Sequence, residues 1–93
     1  MSVTRISEFR AKEDKVDALR ALLAQAVPSI SASRGCLSCK LLQSQNNPAR
    51  FVVLEAWESV ESHETAVRSI PPETFAAVMD LLDGRPSGEY FHE

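Results

Sequence analysis

Apolar and polar residues alternate approximately from Val3 to Ala11 (VTRISEFRA), and the alternation stops at the charged run Lys12-Glu13-Asp14-Lys15. Period two with β-branched and aromatic residues predicts a first strand. From Asp14 to about Ser33 the period changes. Val16, Leu19, Leu22, Leu23, Ala26, Val27 and Ile30 recur at three- and four-residue spacing, which places them on one face of a helix. Pro28 lies inside that pattern and lacks a backbone donor, so the helix is expected to kink or to end its regular part a turn early. Gly35 suits a left-handed terminating residue.

Two strand-like runs follow, Cys36 to Gln45 and Arg50 to Glu58, joined by the turn-forming residues Asn46-Asn47-Pro48-Ala49. Ser59 is placed to cap a helix over 59–69, with Glu61 and Glu64 near its positive end. Pro71-Pro72 interrupts, helical spacing resumes from Glu73 to Leu82, and Gly84 with Pro86 ends it. Gly88 to His92 is expected to form a last strand. The order β, α, β, β, α with an extra helix, then β, predicts an α+β, ferredoxin-like βαββαβ subunit.

The run Arg50 to Glu58 carries a second message. Phe51, Val53, Glu55 and Trp57 share one face of it, and Val52, Leu54 and Ala56 share the other, so apolar groups point both ways. Helices from one short chain cover one face only. A second copy covers the other most simply, and the expected assembly is a homodimer with sheets packed face to face.

With 93 residues, 44% hydrophobic and 25% charged, the chain reads as one domain over 1–93. Ten basic and thirteen acidic residues, mixed along the chain, give a net charge of -3 and no nucleic-acid footprint. No apolar stretch approaches the roughly 20 residues of a membrane span, and the N-terminus lacks the apolar core of a signal peptide. Together with only two cysteines, these features lead to an expected cytoplasmic location and no membrane partner.

Candidate chemistry is sparse. Cys36 and Cys39 form a CxxC, but positions i and i+3 of a regular strand face opposite ways, so the pair is read as structural. His63-Glu64 opens an HExxH in which Val67 replaces the second histidine, and no metal site is expected. The isolated glycines form no phosphate loop. Glu55, Trp57 and His63 are more suggestive. The first two share a strand face, and His63 follows in the next helix, where its ring can reach a pocket against the sheet. An indole offers a flat apolar wall, and a histidine is suited to moving a phenolic proton near neutral pH. A core tryptophan beside a hydrogen-bonded histidine is the plainer alternative. Arg5, Ser7 and Phe9 share a face of the first strand, where Arg5 or Ser7 can orient a polar ligand; exposed edge residues are the competing reading.

The first strand running into Ala11-Lys12-Glu13-Asp14-Lys15, the helix running into Arg34-Gly35-Cys36-Leu37, the hairpin, and Leu54-Glu55-Ala56-Trp57-Glu58-Ser59 followed by Ser62-His63 resemble the antibiotic biosynthesis monooxygenase (ABM) family. The resemblance implies a dimeric α+β barrel. It also implies a monooxygenase that oxidises small quinol or phenolic aromatics with molecular oxygen and no metal, flavin or haem. Trp57 would then pack on the substrate, His63 would accept the phenolic proton, and Glu55 would orient or support. Cys39 stands where the family often has an aromatic, and Pro71-Pro72 replaces a segment that often carries a histidine. Haem-degrading relatives use an asparagine where Ser7 stands, which argues against haem. The alternatives are a non-catalytic dimeric module binding a small ligand, or an isomerase-type relative.

Overall fold

A computed structural model describes residues 2–93. Strand β1 (Val3–Arg10) leads into helix α1 (Val16–Ser31), the hairpin of β2 (Cys36–Gln43) and β3 (Arg50–Trp57), helices α2 (Val60–Arg68) and α3 (Pro72–Asp80), and strand β4 (Ser87–Phe91). The strands form one sheet in the order β2-β3-β1-β4, with β1 and β3 central and each hydrogen-bonded pair antiparallel. This is the ferredoxin-like arrangement that the order of elements predicts, with α3 as the additional helix.

Element boundaries differ from the sequence reading by a few residues at most. The one difference with a physical lesson is Pro28. Helix α1 continues past it to Ser31, and the Ala32 amide donates to the Pro28 carbonyl at 3.0 Å. Pro28 and Ala24, whose carbonyl loses its helical donor, are both exposed. Water can satisfy that carbonyl, which removes most of the reason for a proline to stop the helix.

Strand β3 organises the helix-covered side of the sheet. Phe51 at one end is fully buried and joins Ala11, Leu19, Leu23 and Leu82 in the apolar core. Leu82 reaches that core because Ala11 and Leu82 form a β-bridge, while Lys12 Nζ donates to the Asp80 carbonyl at 2.9 Å. Six residues along the strand, roughly 20 Å away at strand rise, Trp57 marks the other end. There the buried set changes character and includes Glu55 and His63. One strand therefore anchors an apolar core at its start and a polar cluster at its finish.

The opposite face carries Ile6, Val52, Leu54 and Ala56, all half-buried, with Leu42 and Phe91 exposed in register beside them. Apolar groups do point both ways from β3.

Two features set α2 in place over the polar end. Ser59 adopts an extended conformation, and its hydroxyl accepts from the Ser62 amide at 3.1 Å, the N-cap that the sequence predicts. Gly35 has φ +87°, and a Cβ there would lie 2.6 Å from Cβ of Ser62. Its carbonyl also accepts from the Glu58 amide at 2.8 Å. Gly35→Ala should therefore cost about 2 kcal/mol or more, combining the left-handed penalty with displacement of α2. Urea denaturation is the check, and Gly35→Asn should recover little, because asparagine eases the backbone penalty but not the collision.

Candidate active site

The five residues singled out from the sequence converge at the Trp57 end of β3. Register sets the strand contributions. Arg5 on β1 lies opposite both Glu55 on β3 and Tyr90 on β4, and Ser7 lies opposite Gly88. All of these face α2, whose second turn supplies His63. The indole Nε1–H of Trp57 donates to Glu55 Oε1 at 2.8 Å. The His63 ring stands edge-on to Trp57 at 5.4 Å between centroids and edge-on to Tyr90 at 5.3 Å. His63 Nδ1 and the Tyr90 hydroxyl are 2.6 Å apart, a short hydrogen bond. The Arg5 guanidinium stacks over the Tyr90 ring, 4.7 Å from its centroid, and Arg5 Nε donates to Ser7 Oγ at 3.3 Å. A continuous run of contacts thus links Ser7, Arg5, Tyr90, His63, Trp57 and Glu55.

Tyr90 is the member that the sequence reading did not single out. Its signal was present: a βαββαβ order pairs the last strand with the first, which brings residue 90 beside residue 5.

These residues differ in access. A cleft of about 320 Å³, open to solvent, is lined by Arg5, His63, Glu64, Val67, Arg68 and Tyr90. Trp57 is 1% exposed and stands behind His63, away from the cleft surface, with Glu55 beside it. Ser7 reaches the cleft only through Arg5. Among the described residues, no protein group other than the Tyr90 hydroxyl hydrogen-bonds the imidazole, so Nε2 is available to a ligand.

Burial lowers the His63 pKa, the positive charge of Arg5 lowers it further, and Glu64 partly opposes both. The imidazole is accordingly neutral at neutral pH. Because the folded value lies below the ordinary 6.5, His63 contributes stability that is present above pH 6.5 and lost as pH falls through the folded value. Burial raises Glu55, against the lowering effects of the Trp57 hydrogen bond and Arg5.

The cysteine geometry corrects one expectation. Cys36 pairs with Trp57 and Cys39 with Glu55, because a register shift between Cys36 and Ser38 inserts an extra residue. That β-bulge reverses the alternation, so both cysteines face the site side of the sheet rather than opposite sides. Neither is bonded to the other. Burial, with Glu55 and then Cys36 adding to it, pushes the Cys39 thiol up to about 12, and burial likewise raises Cys36. Both are protonated at neutral pH and are poor nucleophiles. Among the described residues, no three His, Cys, Asp or Glu side chains come together as a metal site, and no helix is long and apolar enough to cross a membrane.

Similar folds occur among solved structures. A conserved protein from Methanosarcina mazei superposes with a TM-score of 0.91 at 20% identity, over 100% of this chain and 93% of that one. Rv0793 from Mycobacterium tuberculosis gives 0.88 at 26% identity, over 100% and 95%. A variant of SnoaB, a cofactor-independent oxygenase from Streptomyces nogalater, gives 0.82 at 15% identity, over 99% and 92%. No curated protein matches in sequence. The family model for antibiotic biosynthesis monooxygenases matches residues 2–85, which takes in β1 to α3 and five of the six cleft-lining residues, and the chain belongs to that family.

Proposed function

We propose that the protein is a monooxygenase of the ABM type that oxidises small phenolic or quinol aromatics with molecular oxygen and no cofactor. The observation that carries this reading is a buried imidazole on the wall of an open cleft, hydrogen-bonded through Nδ1 to Tyr90 with Nε2 free, and burial and Arg5 favour its neutral form. The cleft exceeds the roughly 150 Å³ that accommodates benzene, so it has room for a substituted ring.

In this mechanism Nδ1–H donates to the Tyr90 oxygen and Nε2 accepts the phenolic proton. The resulting imidazolium keeps Tyr90 as acceptor, and the Arg5 charge favours the phenolate. A phenolate is electron-rich enough to react with dioxygen directly. For a phenol with a free para C–H, or a quinol with a free C–H ortho to one hydroxyl, one oxygen atom enters the ring there as the second carbonyl of a quinone. The other leaves as water with the two hydrogens lost from the C–H and the O–H. Trp57 and Glu55 act from behind the ring, fixing where His63 stands.

The assembly proposed is a homodimer through the sheet face of Ile6, Leu42, Val52, Leu54 and Phe91, for which light scattering is expected to return about twice 10.3 kDa. A value near 10 kDa at micromolar concentration removes that part. Two unbridged cysteines fit a reducing, cytoplasmic setting.

The deciding experiment is oxygen uptake by chelator-treated protein against hydroquinones and dihydroxynaphthalenes, corrected for autoxidation. Saturable uptake supports the oxygenase, and none across the panel replaces it with a ligand-binding module. The low His63 pKa adds a second expectation. Because the base must be neutral, the acid limb of kcat/KM should fall below pH 6.5, the ordinary value for histidine. A limb above 6.5 excludes His63 as the base.

A further inference from the structure

The guanidinium of Arg5 is fixed in place yet makes no salt bridge among the described residues. Its Nε is held by Ser7, its face lies on Tyr90, and it is only half exposed. Glu55, its cross-strand neighbour, gives Oε1 to Trp57, and no ion pair joins Glu55 to Arg5. The ion pair found among the described residues is Arg50 with Glu8, on the other face of the sheet. Space for this arrangement comes from Gly88. A Cβ at that position would lie 2.6 Å from Arg5 Cζ, so any other residue there displaces the guanidinium. A second guanidinium, Arg68, lines the same cleft, and Glu64 is the one carboxylate among the lining residues.

A planar, half-buried cation with its terminal N–H groups unpaired is suited to accepting a carboxylate through two parallel hydrogen bonds. We propose that the ligand of this cleft is an aromatic that carries a carboxylate, bound at Arg5 with Arg68 at the rim, so that its phenol comes to rest at His63. The inference rests on the site of the oxygenase reading but concerns binding, and it stands or falls without turnover. Tyr90 and Gly88 lie beyond residue 85, where the family match ends, so this subsite draws on residues outside that match.

The test compares 2,5-dihydroxybenzoate with hydroquinone by calorimetric titration of the full chain. The carboxylated ring should bind about tenfold or more tightly, the scale of one charge-assisted contact. Arg5→Gln should abolish the preference, Arg5→Lys should keep part of it, and Gly88→Ala should weaken it by moving the guanidinium. Raising salt on the wild-type protein should weaken the benzoate alone, a readout independent of how any variant folds. Equal affinities, no binding of either ring, or a preference that survives Arg5→Gln overturns the proposal. Selective benzoate binding without oxygen uptake overturns the oxygenase and leaves the subsite. Uptake with equal affinities does the reverse.

Discussion

His63→Ala is expected to lower turnover of a phenolic substrate by about two orders of magnitude or more while changing ligand affinity by only a few-fold, the signature of a lost base rather than a lost contact. The prediction follows from where the ring stands. It forms part of the cleft wall, and its one side-chain hydrogen bond occupies Nδ1 at Tyr90 and leaves Nε2 for the ligand. Removing it deletes the proton acceptor and leaves Arg5, Arg68 and Tyr90 to hold the ligand. His63→Gln separates chemistry from packing, since an amide fills much of the space and can bond Tyr90 but cannot take a proton. Both variants should be equally inactive. Oxygen uptake gives the rate and titration of a non-reacting analogue gives the affinity. An equal loss in both quantities would favour the binding module instead.

Trp57→Ala is expected to destabilise the fold by about 3–5 kcal/mol, the range for deleting a fully buried aromatic. The indole is among the largest fully buried side chains, and it is the donor to Glu55, itself buried. Truncation therefore opens a cavity and strips a buried carboxylate of its partner. Inactivity of this variant would say little about substrate contact, because the wall behind His63 would have gone. Trp57→Phe is the informative companion. It keeps most of the volume, loses the N–H, and should cost about 1–3 kcal/mol while raising the Glu55 pKa further, since the hydrogen bond that lowers it is removed. Chemical denaturation at two pH values reads both effects. The Glu55 contribution runs from full below its unfolded pKa to lost as pH rises through its raised folded value, so the Phe variant should lose more on the alkaline side.

The fold was legible because period and punctuation agree along most of the chain. The alternation through β3, Ser59 before α2 and Gly35 after α1 each name their structure directly. Helix α1 outran the warning at Pro28 because backbone exposure, which a sequence does not display, decides how much a missing donor matters. Of the site, Glu55, Trp57 and His63 were visible as a local cluster within nine positions. Their depths were not, because Trp57 seals against Glu55 only once the strand is covered by α2. The bulge at Cys36–Ser38 escaped notice for a related reason: one inserted residue reverses every inference from alternation, and nothing in Cys-Leu-Ser announces it. Tyr90 was missed because its partners are 85 and 27 positions away, so only the sheet order reveals them.

Strand β4 has a single neighbour in the sheet, and that neighbour is the first strand of the chain. The cleft wall is thus divided between α2 and an edge that closes only when residues near the two chain ends meet. Edge strands belong to the readily opened part of a structure, so the amides of 87–91 should exchange with solvent well before those of β3. A molecule seated between Arg5 and His63 contacts both sides of that closure and holds it shut. Occupancy should therefore be readable as slowed deuterium uptake along β4, even for a ligand that undergoes no reaction.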